Sequence, residues 1–268
     1  SVTGNSGTVT LAGVGNSVGN EVTQLTVSGD VVTLEGVIHS TGGGGNPAVS
    51  ITENDVTTAG DTLTVGGSIT ADSNSIILNG SGIVDINAAV EATGGTATDT
   101  VTATADSDNN AAAHDLQVGA NVSGTTVTLQ TGTGTSPAQV VVDAATDNTL
   151  GATSFVNAAG AELQADVTAD GTLDFSGLAG GSDVDLTTGV TLISDTGNVD
   201  LRNVRLESAG GGGGETASFF ASGGTVYLQT VGATDSGIDG ITFGAVAGDV
   251  AAVDLSGTMV VQAGGVSF

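Results

Sequence analysis

Short stretches of alternating apolar and polar residues, separated by glycine-rich segments, run through almost the whole chain. Two clear examples are Leu34, Gly36 and Ile38, and Leu63, Val65, Gly67 and Ile69. Alternation with a period of two is typical of β-strands that turn one face towards a core. The 45 glycines among 268 residues interrupt nearly every run that could otherwise form a helix. The sequence therefore predicts an all-β protein.

One spacing pattern returns along the chain. An apolar residue is followed at intervals of two by a small residue, another apolar residue and then two more small residues. It is seen in Leu34, Gly36, Ile38, Ser40 and Gly42; in Val65, Gly67, Ile69, Ala71 and Ser73; and in Ile86, Ala88, Val90, Ala92 and Gly94. The starting positions lie 31 and 21 residues apart. A variable period of this size predicts a parallel β-helix, or β-solenoid, whose coils differ in length.

A coil of about 22 residues would give roughly 12 coils, which form a single domain over residues 1–268. The glycine-rich segments would then be corner loops. Pro47 and Pro137 occupy the same position in two of these segments, which predicts equivalent corners. Aromatic residues make up only 3% of the chain, and cysteine is absent. The fold must therefore be held by hydrogen-bonded ladders and by close packing of small side chains.

The net charge of −27 comes from 29 acidic residues against two basic residues, Arg202 and Arg205. Such a field repels nucleic acids and anionic membrane surfaces, so neither is expected as a partner. No stretch reaches the ~18 apolar residues of a membrane-spanning helix. The chain starts at Ser1 without an initiator methionine, and we expect a processed product located outside the cell or on its surface.

Two stretches resemble the repeats of filamentous-haemagglutinin-like exoproteins and related bacterial autotransporter passengers. They are the run from Gly36 to Gly45, and the segment that contains Val199-Asp200-Leu201 and Leu206-Glu207-Ser208-Ala209-Gly210. This resemblance implies a right-handed parallel β-helix that is exported to the cell surface and used in adhesion or as a stalk. It implies no catalytic residues.

An acidic segment between residues 106 and 115 is a candidate Ca²⁺ site. Its proposed ligands are Asp106, Asp108, Asn110 and Asp115, because calcium loops place oxygen ligands at alternating positions. The match is incomplete, since the sixth position holds Ala111 rather than glycine. The alternative is a solvated acidic corner without a bound ion.

The chain's arginines and most of its aromatic residues lie in the last third of the sequence. Residues 199–268 are therefore a candidate cap or assembly surface, and the residues selected for this role are Phe219, Phe220, Tyr227 and Phe268. The ends of a solenoid expose strand edges that need a cap or a partner. The alternative for these aromatic residues is filling of the core in wider coils.

Catalytic groups are harder to find. Arg202 and Arg205 are expected to pair with Glu207 or nearby aspartates, and the two histidines, His39 and His114, are expected at the surface. The sequence thus favours a non-enzymatic structural protein, a building block of a surface fibre, sheath or adhesin stalk that self-assembles end to end or contacts a neighbouring surface protein. Two alternatives remain open: a carbohydrate-binding adhesin module, and then a β-helix lyase or hydrolase acting on glycans.

Overall fold

The computed structural model describes residues 1–4, 7–15, 21–43, 47–54, 61–108, 113–132, 138–209, 214–232, 237–244 and 250–268. These residues form strands β1 to β29, numbered along the chain, and none of them is helical. All the strand pairs in the ladders are parallel, and the strands stack into a three-faced β-solenoid of about nine turns. The predicted all-β solenoid is confirmed.

The first face is a ladder of strands from successive coils. It consists of β1 (Val2–Thr3), β3 (Leu25–Gly29), β6 (Val49–Glu53), β9 (Ile76–Gly80), β12 (Thr100–Ala105), β15 (Thr126–Thr131), β18 (Ala152–Val156), β21 (Leu173–Gly177), β24 (Val199–Ser208), β26 (Thr225–Val231) and β28 (Ala252–Leu255). Strands β24 and β26 are long enough to continue around the next corner into the second face.

The second face follows each strand of the first. It consists of β2 (Thr8–Leu11), β4 (Val31–Leu34), β7 (Thr62–Val65), β10 (Ile83–Ile86), β13 (Leu116–Val118), β16 (Gln139–Val142), β19 (Gly160–Leu163), β22 (Asp183–Leu186) and the later residues of β24 and β26.

The third face completes each coil with two ladders. The first ladder contains β5 (Ile38–Ser40), β8 (Ile69–Ala71), β11 (Val90–Ala92) and β14 (Val122–Ser123). The second contains β17 (Thr146–Asn148), β20 (Val167–Ala169), β23 (Val190–Ser194), β25 (Thr216–Ala221), β27 (Ile238–Phe243) and β29 (Val261–Ser267).

The repeat found in the sequence corresponds to stacked positions in the structure. Leu34 pairs with Val65, and Val65 pairs with Ile86 in the next coil. On the third face, Ile38, Ile69 and Val90 stack in the same way. The pattern therefore marks one corner, between the second and third faces, in three consecutive coils.

The coils are longer than expected, and so there are fewer of them. Successive strands of the first face begin between 21 residues apart, from Ala152 to Leu173, and 27 residues apart, from Val49 to Ile76. The additional residues lie in corners rather than in strands, because the strands must keep their register to stay hydrogen-bonded.

The glycine-rich segments do not mark one equivalent corner. Pro47 precedes β6 of the first face, whereas residue 138, which follows Pro137, precedes β16 of the second face. Pro137 itself lies outside the described residues. The prediction that the two prolines define equivalent corners was wrong, because wide corners at any position of a coil accept glycine-rich insertions.

The core consists of columns of side chains that run along the solenoid axis. One column on the first face contains Leu25, Val49, Ile76, Val101, Val127, Thr153, Leu173, Val199, Val226 and Val253 in register. Most of these side chains are completely buried. Burial of each aliphatic side chain contributes about 1.5–3 kcal/mol to the transfer free energy, so the columns hold the coils together.

Aromatic side chains enter the core where the columns become wider. Phe155 and Phe175 are fully buried and stack with ring centroids 4.3 Å apart. On the third face Phe219, Phe243 and Phe268 form a second stack, with centroid separations of 5.4 and 5.3 Å. These distances are typical of aromatic pairs that add to the stability of a core.

Candidate functional site

The predicted Ca²⁺ segment begins at the corner that follows β12. Asp106 is fully buried there with a left-handed φ of 51°, and its amide donates a hydrogen bond to the carbonyl of Gly82 in the preceding coil. Neither of its carboxylate oxygens accepts a hydrogen bond from the residues that the structure describes. Burial raises the pKa of Asp106; His114 lowers it and Asp108 raises it further. The site thus holds a carboxylate in an environment that disfavours its charge.

His114 lies against this carboxylate. Its Nδ1 is 3.8 Å from Oδ1 of Asp106, and only 5% of the residue is exposed. The expectation of a surface histidine was wrong here, because His114 points into the corner next to the buried acid. The other histidine, His39, is half-buried and its Nε2 is 2.9 Å from Oδ1 of Asp72.

Asp115 lies just before β13, at the other end of this corner, and has a backbone partner. Its Oδ1 accepts a hydrogen bond of 2.8 Å from the amide of Gln139 in the next coil. Asn110 lies outside the described residues. Among the residues that the structure does describe, no three His, Cys, Asp or Glu side chains approach closely enough to hold one metal ion. Asp106 and His114 are brought together, and the Ca²⁺ site stays a prediction.

Asp115 belongs to a set of side chains that link neighbouring coils. In each, a side-chain oxygen accepts a hydrogen bond from a backbone amide of an adjacent coil; we call these residues the corner brackets. They are Asp99, Asp115, Asn121, Asn148, Asp166 and Asn198, which bond to the amides of Asn74, Gln139, Asp147, Gly124, Thr191 and Thr225. The distance from the amide nitrogen to the side-chain oxygen ranges from 2.6 Å for Asp99 to 3.2 Å for Asn121.

The corner brackets occupy all three corners of the solenoid. The bonded amides of Asn74 and Gly124 lie outside strands, and the other four belong to the first or second residue of a strand. A buried amide without a partner is costly. An Asp or Asn placed just before a strand satisfies such an amide and fixes the distance between coils. Part of the chain's acidity thus has a structural cause that net charge alone does not reveal.

An acidic ladder crosses the second face. Glu162, Asp185 and Glu207 lie in register on three successive coils. Burial raises the pKa of Asp185, and the neighbouring Asp183, Glu207 and Glu162 raise it further.

Arg205 lies beside this ladder. Its guanidinium is 2.7 Å from Oδ1 of Asp183 and 3.5 Å from Oε1 of Glu207. The expected pairing of this arginine with nearby acidic residues is confirmed.

Arg202 lies on the other side of an irregularity in β24. The register of β24 against β26 shifts between Leu201 and Arg205, and Asn203 has a left-handed φ of 71°. The guanidinium of Arg202 binds both carboxylate oxygens of Asp200, with its Nε at 2.9 and 3.0 Å. It also lies 4.5 Å from the ring centroid of Tyr227, a distance at which a cation is attracted to the face of an aromatic ring.

The four aromatic residues selected for capping or assembly differ in how deeply the structure buries them. Phe219 is fully buried in the core column, whereas Phe220 lies half-buried on the outer side of the same strand. Tyr227 is half-buried under Arg202. Phe268 stacks on Phe243 at the last coil and is 87% exposed. Phe219 therefore fills the core, and the remaining three are accessible to different extents.

The last coil also exposes other apolar side chains. Leu255, Val260 and Val266 are 39%, 38% and 41% exposed, while the equivalent positions in the preceding coils are buried. The described part of the chain contains no helix long and apolar enough to cross a membrane.

Comparison with known proteins provides no relative. No protein-family model matches the chain, and neither a curated protein nor a solved structure is significantly similar to it. The β-solenoid fold is compatible with a structural or adhesin-like role, and the arguments about function rest on the geometry of this chain.

Sequence reasoning missed the corner brackets and the buried Asp106–His114 pair. The sequence does contain a pattern that could have identified the corner brackets, since each is an Asp or Asn a few residues before a strand or at its end. The partners are 24–27 residues away in sequence, so single-coil patterns do not show them. The Arg202–Tyr227 contact had no local signal, because it depends on the register of two coils.

Proposed function

We propose that this chain is a non-enzymatic structural protein of the cell surface, a rigid β-solenoid segment of a fibre, sheath or adhesin stalk. The observation that carries the proposal is the continuity of the core. Buried side chains stack in register from Leu25 to Val226 through consecutive coils, without a gap in the column. Such a column resists bending because each coil contacts both of its neighbours over its whole cross-section.

The corner brackets support the same role. They add side-chain hydrogen bonds between coils at positions where the strand ladders stop. A stack of nine turns spaced by about 4.8 Å gives a rod of roughly 45 Å, stiffened on its faces by ladders and at its corners by brackets. The acidic surface keeps such rods soluble and apart from one another along their sides.

We further propose that copies of the solenoid dock end to end. Among the described residues, strands β28 and β29 pair on one side only, with β26 and β27. Leu255, Val266 and Phe268 are exposed beside these edges. Parallel strands of a second copy could extend both ladders and cover these side chains, which is β-augmentation between identical chains. Head-to-tail contacts of this kind produce filaments rather than closed dimers.

Light scattering and electron microscopy of the purified 268-residue chain across a concentration series test this assembly. We expect linear particles whose length grows with concentration. The double variant Val266→Asp and Phe268→Asp should remain monomeric, because it places charges at the contact. Thr128→Asp on the first face adds a charge away from the ends and should still assemble. Monomers of the unaltered chain at every concentration would contradict end-to-end docking, and a compact particle in small-angle scattering would contradict the rod.

A further inference from the structure

A groove lies on the outside of the solenoid at the corner between the first and second faces. It crosses three coils, has a volume of about 370 Å³, and is lined by Ser176, Leu178, Gly180, Gly181, Asn203 and Gln229. This volume is near the lower end of the range for small-ligand sites, about 300–1,000 Å³. The groove lies where β24 is irregular at Asn203, beside the turn at residues 178–182.

The groove presents hydrogen-bonding groups at the surface. Of its polar lining residues, Asn203 and Gln229 are exposed and Ser176 is half-buried. Amides and hydroxyls both donate and accept, so they can bind neutral hydroxyl groups. Leu178 is 4% exposed and forms an apolar floor.

The groove wall is fixed by backbone contacts. The amide of Gly181 donates to the carbonyl of Asn203 at 3.2 Å, and the amide of Ser182 donates to the carbonyl of Ala179 at 3.0 Å. A Cβ atom added at Gly180 would meet no atom within 4 Å, which shows that the space beside the turn is open. A preformed, open site loses little conformational freedom when it binds.

The groove adjoins a planar charged pair and an aromatic ring. Arg202 precedes Asn203 on β24, and Tyr227 lies two residues before Gln229 on β26. The guanidinium of Arg202 binds both carboxylate oxygens of Asp200 and keeps further N–H donors that can bind a hydroxyl group.

The surroundings decide the chemical class of the ligand. Asp174 is in register with Asp200 next to the groove, and Asp183 holds Arg205 nearby, so a polyanion is repelled. An extended peptide would need an unpaired strand edge to bind by β-augmentation. Strands β21, β24 and β26 are paired on both sides, so none of them offers such an edge.

We propose that this groove is a binding site for a neutral glycan, of which it accommodates about one or two sugar units. The inference rests on the groove alone and is independent of end-to-end docking. It places recognition on a corner of the solenoid, away from the terminal coils.

An array of neutral glycans, followed by NMR titration with cellotetraose, maltotetraose and a mannose tetrasaccharide, tests the proposal. We expect at least one neutral glycan to bind, with chemical-shift changes concentrated at residues 176–181, 203 and 229. Array binding only to sulfated or sialylated glycans, or binding only to a peptide library, would overturn it, as would an array with no neutral binder.

Two glycine variants show whether binding occurs in the groove. Gly180→Leu fills the open space and should weaken the binding of the neutral glycan at least tenfold. Gly43→Leu is the matched control, because a Cβ at Gly43 meets only Thr23, at 3.8 Å, and lies at a different corner. Circular dichroism verifies that both variants fold. Equal affinity of Gly180→Leu and the unaltered chain would overturn the assignment of the site.

Discussion

Single polar residues fix the spacing of neighbouring coils, and Asn148 is the clearest case. Its Oδ1 accepts hydrogen bonds from the hydroxyl of Ser123 and the amide of Gly124, while its Nδ2 donates to the carbonyl of Ala152 and the hydroxyl of Thr153. Asn148 is almost completely buried. Its amide also explains why the otherwise aliphatic column of the first face contains Thr153.

Replacement of this side chain should destabilise the protein strongly. Asn148→Ala leaves several buried donors and acceptors without partners, and we expect a loss of about 2–4 kcal/mol in the free energy of unfolding. Thermal melting followed by far-UV circular dichroism measures the change. The control is Asn87→Ala, because Asn87 is exposed and bonds only the neighbouring Asp85. A similar small effect of both variants would show that the Asn148 network does not hold the coils.

At the scale of elements, adjacent coils approach each other closely at the corner between the second and third faces. Three residues separate β4 from β5 and β7 from β8. A Cβ atom added to Gly67 would lie 2.3 Å from the carbonyl oxygen of Gly36 in the coil below. Adjacent coils therefore leave no room for a side chain at this corner in these two coils.

Gly67→Ala tests this steric limit. We expect a loss of about 2 kcal/mol or more, because the backbone of one coil must move away from the next. Gly180→Ala is the matched control and should change stability by less than about 0.5 kcal/mol, since its new methyl group meets nothing. Urea titration provides both values. Equal midpoints for the two variants would contradict the close approach.

This corner also explains which parts of the fold the sequence predicts. Where the corner has no space for a side chain, it requires Gly at a fixed distance from both strands, so Gly36 and Gly67 create a visible repeat. Wide corners accept insertions at any face, and they misled the estimate of the number of coils and the comparison of Pro47 with Pro137. The corner brackets and the groove depend on contacts between coils, which depend on register and not on local composition.

At the scale of the whole molecule, acidic residues make stability depend on pH in two opposite ways: some have a raised pKa in the folded state and Asp99 has a lowered one. Burial raises the pKa of Asp106, Asp147 and Asp185, in each case together with neighbouring carboxylates. For Asp99, burial also acts to raise the pKa, but hydrogen bonds from Thr96 and Asn74 outweigh it and lower the pKa.

The dependence of stability on pH should therefore have a maximum in mildly acidic solution. A raised folded pKa means that the folded state takes up protons before the unfolded state does, so stability increases as the pH falls from 7 towards these pKa values. The stabilisation from Asp99 is present above its ordinary pKa of 3.8 and is lost as the pH falls through its lower folded pKa. Melting temperatures between pH 2 and pH 8 measure the profile.

Two substitutions distinguish the effect of the Asp185 environment on stability from the effect of general charge repulsion. Asp185→Asn should raise the melting temperature at pH 7 and reduce the gain on acidification. Asp254→Asn removes the same charge from an exposed position and should raise the melting temperature much less. A melting temperature that falls steadily from pH 8 downwards would contradict the raised pKa values.

The contact between Arg202 and Tyr227 has a practical consequence for spectroscopy. The chain has no tryptophan and Tyr227 is its single tyrosine, so near-ultraviolet emission reports on one place in the molecule. That place is the edge of the groove, where the ring lies under a guanidinium. The unlabelled protein thus carries its own optical reporter of what happens at this corner.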